Sequence, residues 1–73
     1  MSESITEQFG SRVKQLREQC ELTQEELAEA SELDRTYISS VERGHRNVSL
    51  RAIESIAAAL SVSLSDLFTD LGE

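Results

Sequence analysis

At 73 residues, 38% of them hydrophobic and none of them proline, the chain has room for one small domain, 1–73, whose core alone is only marginally stabilising. A single cysteine and a single histidine, Cys20 and His45, exclude a disulfide and a zinc site, so no metal or other cofactor is expected. The net charge of −7, from 7 basic and 14 acidic residues, excludes a uniformly cationic surface but leaves room for a local one.

The first predicted helix runs over 6–19, where Phe9, Val13, Leu16 and Cys20 recur at helical spacing, with Cys20 as a small apolar residue. Thr23 followed by Glu26 is a capping box opening a second helix to about residue 30. Asp34 caps a third, with Ile38 and Val41 inward and Gly44 as its left-handed stop. Ser49 caps a fourth, whose broad apolar face is Leu50, Ile53, Ile56, Ala57 and Leu60. Ser63 with Asp66 starts a short fifth that carries Leu64, Leu67, Phe68 and Leu71. No period-2 pattern competes, so the fold class is all-α, a compact five-helix domain. The longest apolar run, 56–60, is too short to span a bilayer and no signal segment opens the chain, which points to a cytoplasmic protein with no membrane partner.

Only Ser31, Glu32 and Leu33 separate helices two and three, which forces a tight crossing: the helix-turn-helix arrangement. Leu27, Ala28, Leu33, Ile38 and Val41 fit its interior, with Ala28 small at the closest approach and Leu33 in the corner. Charge follows the same division. From Glu18 to Asp34 there are acids and no base, whereas Arg35, Arg43, His45, Arg46 and Arg51 face a single acid, Glu42.

The run 22–28 (Leu-Thr-Gln-Glu-Glu-Leu-Ala), then 33–39 (Leu-Asp-Arg-Thr-Tyr-Ile-Ser), then Val41-Glu42-Arg43-Gly44 resembles the phage-repressor (Cro/CI-like) helix-turn-helix family. With the 46–50 stretch the resemblance covers about 9–67, and within the family it is most similar to small controller proteins of restriction–modification systems. The pattern departs from the family at Glu21 and Glu32, where glycine is usual. A left-handed backbone at either would cost on the order of 1 kcal/mol.

A helix-turn-helix lays its second helix in the major groove with N-terminal side chains on base edges. The residues pointing away from Ile38 and Val41 are Arg35, Thr36, Ser39, Ser40 and Arg43. Arg35 has the planar fork that bonds guanine O6 and N7 together; the alternative is a surface arginine paired with Glu32 or Glu42. Thr36 and Ser39 are short enough for close approach to bases, and Arg46 is within reach of one. Ser40, Arg43, His45 and Asn47 are expected on the DNA backbone. Tyr37 either covers the core edge or, as the resemblance implies, lies over the sugar–phosphate chain. The resemblance also implies a phosphate contact for Gln24 and a structural ion pair between Arg17 and Glu42.

No enzyme is legible: His45 has no orienting carboxylate or adjacent nucleophile, and there is no glycine-rich phosphate loop. The expected function is a homodimeric regulator that reads a pseudo-palindromic operator in double-stranded DNA, either repressing or activating transcription. Its subunit contact would use Leu64, Leu67, Phe68 and Leu71, and no small-molecule effector is expected. In activators of the family, acids matching Glu25 and Glu29 meet the σ subunit of RNA polymerase, which makes that subunit a second expected partner. Two other readings stay open here: an antitoxin that binds DNA and a toxin, and a protein-interaction module that has kept the fold without DNA binding.

Overall fold

The computed structural model describes residues 3–72. Among them it holds five helices and no strand: α1 (Ile5–Gln19), α2 (Gln24–Ser31), α3 (Arg35–Glu42), α4 (Leu50–Ala59) and α5 (Leu64–Leu67). Each begins at a hydroxyl or carboxylate that accepts from a backbone N–H of the first turn: Ser4, Thr23, Asp34, Ser49 and Ser63. Such caps satisfy donors that a helix leaves orphaned. Thr23 and Glu26 form the expected capping box, and Ser4 with Glu7 forms a second that starts α1 at Ile5, one residue before the expected start.

Four helix ends close in one manner. An N–H two or three residues past the helix reaches back five positions: Leu22 to the Arg17 carbonyl (3.1 Å), Leu33 to Ala28 (2.9 Å), His45 to Ser40 (3.0 Å) and Val62 to Ala57 (3.0 Å). The residue before each donor is left-handed, with φ of 58° at Glu21, Glu32 and Ser61 and 78° at Gly44. Leu22, Leu33 and Val62 then turn inward to pack on the core. The turn between α2 and α3 therefore keeps the left-handed geometry that glycine usually serves, on a glutamate.

The core joins Phe9, Val13 and Leu16 of α1 to Leu27 and Ala28 of α2, Ile38 and Val41 of α3, Ile56 and Ala57 of α4 with Leu60, and Leu67 of α5. Gly10 sets how closely α1 approaches α3. A Cβ there would stand 2.2 Å from the Val41 carbonyl oxygen and 2.9 Å from that of Glu42, closer than real contacts allow.

Three expectations need correction. Leu50 is 85% exposed; it sits at the first position of α4, and the inward face begins with Ala52 instead. Leu67 is fully buried, because α5 ends there and lays that one side chain against the core. The stripe Leu64, Leu67, Phe68 and Leu71 is thus not one helical face. Cys20 is exposed at the end of α1 rather than packed with its apolar residues. No helix among the described residues is long and apolar enough to cross a membrane.

Candidate nucleic-acid interface

Burying Ile38 and Val41 turns the opposite side of α3 outward. Asp34 fixes where that face begins, its Oδ1 accepting the Thr36 N–H at 2.7 Å. Arg35, Thr36 and Arg43 are exposed, and Ser39 and Ser40 are half-buried at the flank. The Arg35 guanidinium has neither of the acids the sequence offered it. Its nearest carboxylate is Glu25 on α2, Nε to Oε1 at 3.8 Å, with both side chains mostly in water. A pair so long and so solvated holds Arg35 only weakly.

Glu42 is engaged elsewhere. Its Oε2 accepts from Arg17 Nε at 2.7 Å and its Oε1 from Arg17 Nη2 at 3.1 Å, a fork in which the Glu42 side chain is 3% exposed. Arg17 Nη1 also donates to the Leu22 carbonyl at 2.7 Å, which ties α1, the α1–α2 turn and the end of α3 together. The hydrogen bond to Glu42 holds the Arg17 guanidinium above its ordinary value, so it is charged throughout the working pH range. The expected pair is therefore present, and it recruits Gln24, whose Nε2 donates to Glu42 Oε1 at 3.1 Å. Gln24 stands at the start of α2 with its amide nitrogen turned toward the ion pair, leaving its oxygen outside that bond.

After α3 the chain bends at Gly44 into a loop carrying His45, Arg46 and Asn47, all exposed. Two contacts fix this loop. A Cβ at Gly44 would meet Glu7 Cα at 2.8 Å, so the first turn of α1 is seated directly on the bend. Glu7 is itself pinned by the Ser4 N–H and hydroxyl, which hold its carboxyl below the usual carboxylate range, with a smaller contribution from His45. The second contact is Arg46, whose guanidinium carbon lies 4.9 Å from the centre of the Tyr37 ring. Tyr37 is half-buried against the core, as its core-edge reading requires, and the rest of its ring meets Arg46.

Arg51 counts in the basic segment of the sequence but has no contact assigned there. It lies in the first turn of α4 and borders a surface depression with Tyr37, Leu33 and Ser49; a basic residue two places after a helix cap was the available signal. Glu25 and Glu29 are both exposed on α2. Leu64 and Phe68 are 51% and 40% exposed, and Leu71 is half-buried. Ile5, also missed, is 54% exposed and flanks an apolar groove of about 190 Å³ with Phe9, Val48, Ile53 and Phe68. The Phe9 and Phe68 rings stack there at 5.5 Å.

The helix-turn-helix family model matches residues 13–67. The control protein C.MunI of a Mycoplasma species is 52% identical over 64 residues, 86% of each chain. Among solved structures, the restriction-modification controller protein C.AhdI from Aeromonas hydrophila superposes with a TM-score of 0.84 at 48% identity, covering 86% of this chain and 96% of that one. The controller protein C.Esp1396I, solved as a tetramer on its natural 35 base-pair operator, gives a TM-score of 0.84 at 37% identity, over 92% of this chain and 88% of that one.

Proposed function

This chain belongs to the helix-turn-helix family of DNA-binding transcription regulators, and we propose that it is a restriction–modification controller protein acting as a homodimer on a pseudo-palindromic operator. The observation that carries the reading is the outward face of α3. Asp34 caps its start, Arg35 and Thr36 stand exposed at that end, and Arg43 and Arg46 extend the cationic edge past the other. On an acidic chain, that is where a polyanion fits.

The roles divide by geometry. Arg35, Thr36 and Ser39, with Arg46, reach base edges, whereas Ser40, Arg43, His45 and Asn47 grip phosphates and sugars. Gln24 joins the phosphate contacts by donating the second N–H of its amide, the one its bond to Glu42 leaves free. Leu64, Phe68 and Leu71, together with Ile5 and Leu50, form the subunit contact, while Leu67 stays in its own core. A dimer built so presents two copies of α3 about one DNA turn, ~34 Å, apart. Glu25 and Glu29 form the docking surface for the σ subunit of RNA polymerase. No chemistry is asked of any side chain, so the protein is not an enzyme, and it works in the cytoplasm, where its promoters are.

The reading is tested by selecting bound sequences from a random duplex pool and titrating the winner against salt. A pseudo-palindrome should emerge, with affinity falling linearly on a log–log salt plot because phosphate contacts release counterions. A protein that binds no duplex at any salt would instead be an interaction module that kept the fold.

A further inference from the structure

We infer that Tyr37 serves DNA recognition through Arg46: its ring is the platform on which the free protein pre-orders that arginine, and Tyr37 is a positioning residue rather than an independent phosphate contact. The inference rests on the DNA-binding reading above and adds a device to it. Arg46 sits in the loop 43–49, outside any helix, and is exposed. It forms neither an ion pair nor a side-chain hydrogen bond among the described residues. An arginine so placed has many rotamers to lose on binding, and ordering each costs affinity.

The ring supplies the order beforehand. Tyr37 is held on α3 and packed against the core, so it is a rigid surface, and a guanidinium carbon 4.9 Å from its centre is within cation–π range. The bend that delivers Arg46 to this ring is itself fixed, since Gly44 lies on Glu7 and the His45 N–H bonds the Ser40 carbonyl. Stacking on an aromatic face leaves all of the guanidinium N–H donors at its rim free for phosphate or base oxygens. The Tyr37 hydroxyl is not needed for any of this.

Two measurements test it. In the free protein, the side-chain protons of Arg46 should show upfield ring-current shifts that Tyr37→Leu abolishes and Tyr37→Phe keeps. On the selected operator, Tyr37→Leu should weaken binding by roughly two- to fivefold, the scale of an exposed cation–π contact, and Tyr37→Phe should leave it unchanged. In an Arg46→Ala background, Tyr37→Leu should then have no further effect. Random-coil Arg46 shifts in the wild type overturn the inference without recourse to DNA or to any variant's folding. Equal losses for Tyr37→Leu with and without Arg46, or a loss for Tyr37→Phe matching that for Tyr37→Leu, overturn it in favour of a direct contact. A wild type that binds no duplex but shows the shifts would fail the regulator reading and end the recognition role with it.

Discussion

Arg17 and Glu42 form a two-pronged ion pair across the α1–α3 contact, at 2.7 and 3.1 Å, and the same carboxylate receives the Gln24 amide. Three helices thus converge on one nearly buried anion. Removing it strands a shielded guanidinium, the costly case for a buried pair, whereas replacing both partners by apolar residues is often neutral. Glu42→Ala should lose about 3 kcal/mol of stability, a large share of the margin of so small a domain. Thermal melting checks this. An unchanged midpoint would reduce Arg17 to a surface residue.

Arg35 and Arg43 should separate specificity from affinity. Arg35 stands at the capped end of α3 and its only restraint among the described residues is a solvated 3.8 Å approach to Glu25, so little is lost when it turns to a base. Arg35→Ala should cost about 1–3 kcal/mol on the preferred operator and flatten the preference at one position per half-site. Arg43→Ala should weaken every duplex alike and lower the salt slope by about 1. A panel of single-mismatch operators distinguishes the two.

The framework was legible because its signals are local. Thr23, Asp34, Ser49 and Ser63 each announced a helix through a side chain whose capping partner lies two or three residues away. What the apolar pattern could not supply was which face meets solvent where a helix is one turn long. Leu67 and Leu64 are chemically identical, yet one is fully buried and the other half in water, a distinction made by how α5 docks on α4. Leu50 failed for the same reason at a helix start. Contacts between distant segments were also silent, including Gly10 on the Val41 carbonyl and Arg46 on Tyr37. The Arg17–Glu42 pair, 25 positions apart, was reached only through the resemblance.

The four non-glycine left-handed positions among the described residues, Glu21, Glu32, Ser61 and Asp70, mark where the domain is strained. Glu32 at φ 58° holds the α2–α3 turn with its side chain exposed. Glu32→Gly should remove the steric cost of that conformation and stabilise the fold by about 0.5–1 kcal/mol. Denaturant titration should show a higher midpoint at unchanged slope. A lower one would mean that the freedom glycine adds to the unfolded chain outweighs the strain.

Leu64 and Leu67 should respond oppositely in the two assays that matter for assembly. Leu67→Ala opens a cavity in the monomer and should cost about 2–5 kcal/mol of folding stability. Leu64→Ala and Phe68→Ala should leave secondary structure intact and raise the dimer dissociation constant, read by sedimentation across a dilution series. A wild type that stays monomeric at every concentration would sink the proposed subunit contact.

Glu25 and Glu29 are one turn apart on α2 and exposed, and Glu25 lies beside the arginine expected to enter the groove. That placement gives the two acids different partners before and after DNA binding. In the free protein, Glu25 attracts Arg35 weakly. Once Arg35 is committed to a base, Glu25 is left charged near the duplex, where a carboxylate is unfavourable unless a cation meets it. A basic segment of the polymerase σ subunit, bound alongside at the promoter, would supply that cation to Glu25 and Glu29 together. The Glu25→Gln, Glu29→Gln double variant keeps side-chain size and removes both charges. It should bind the operator at least as well as the wild type, because two repulsive charges are gone and Arg35 is released. It should stimulate transcription less, by a factor set by the lost contact, with operator occupancy held constant. Stimulation that survives the double substitution at full occupancy removes the acids from activation and leaves them as a solvated face that favours the α2 dipole through Glu25.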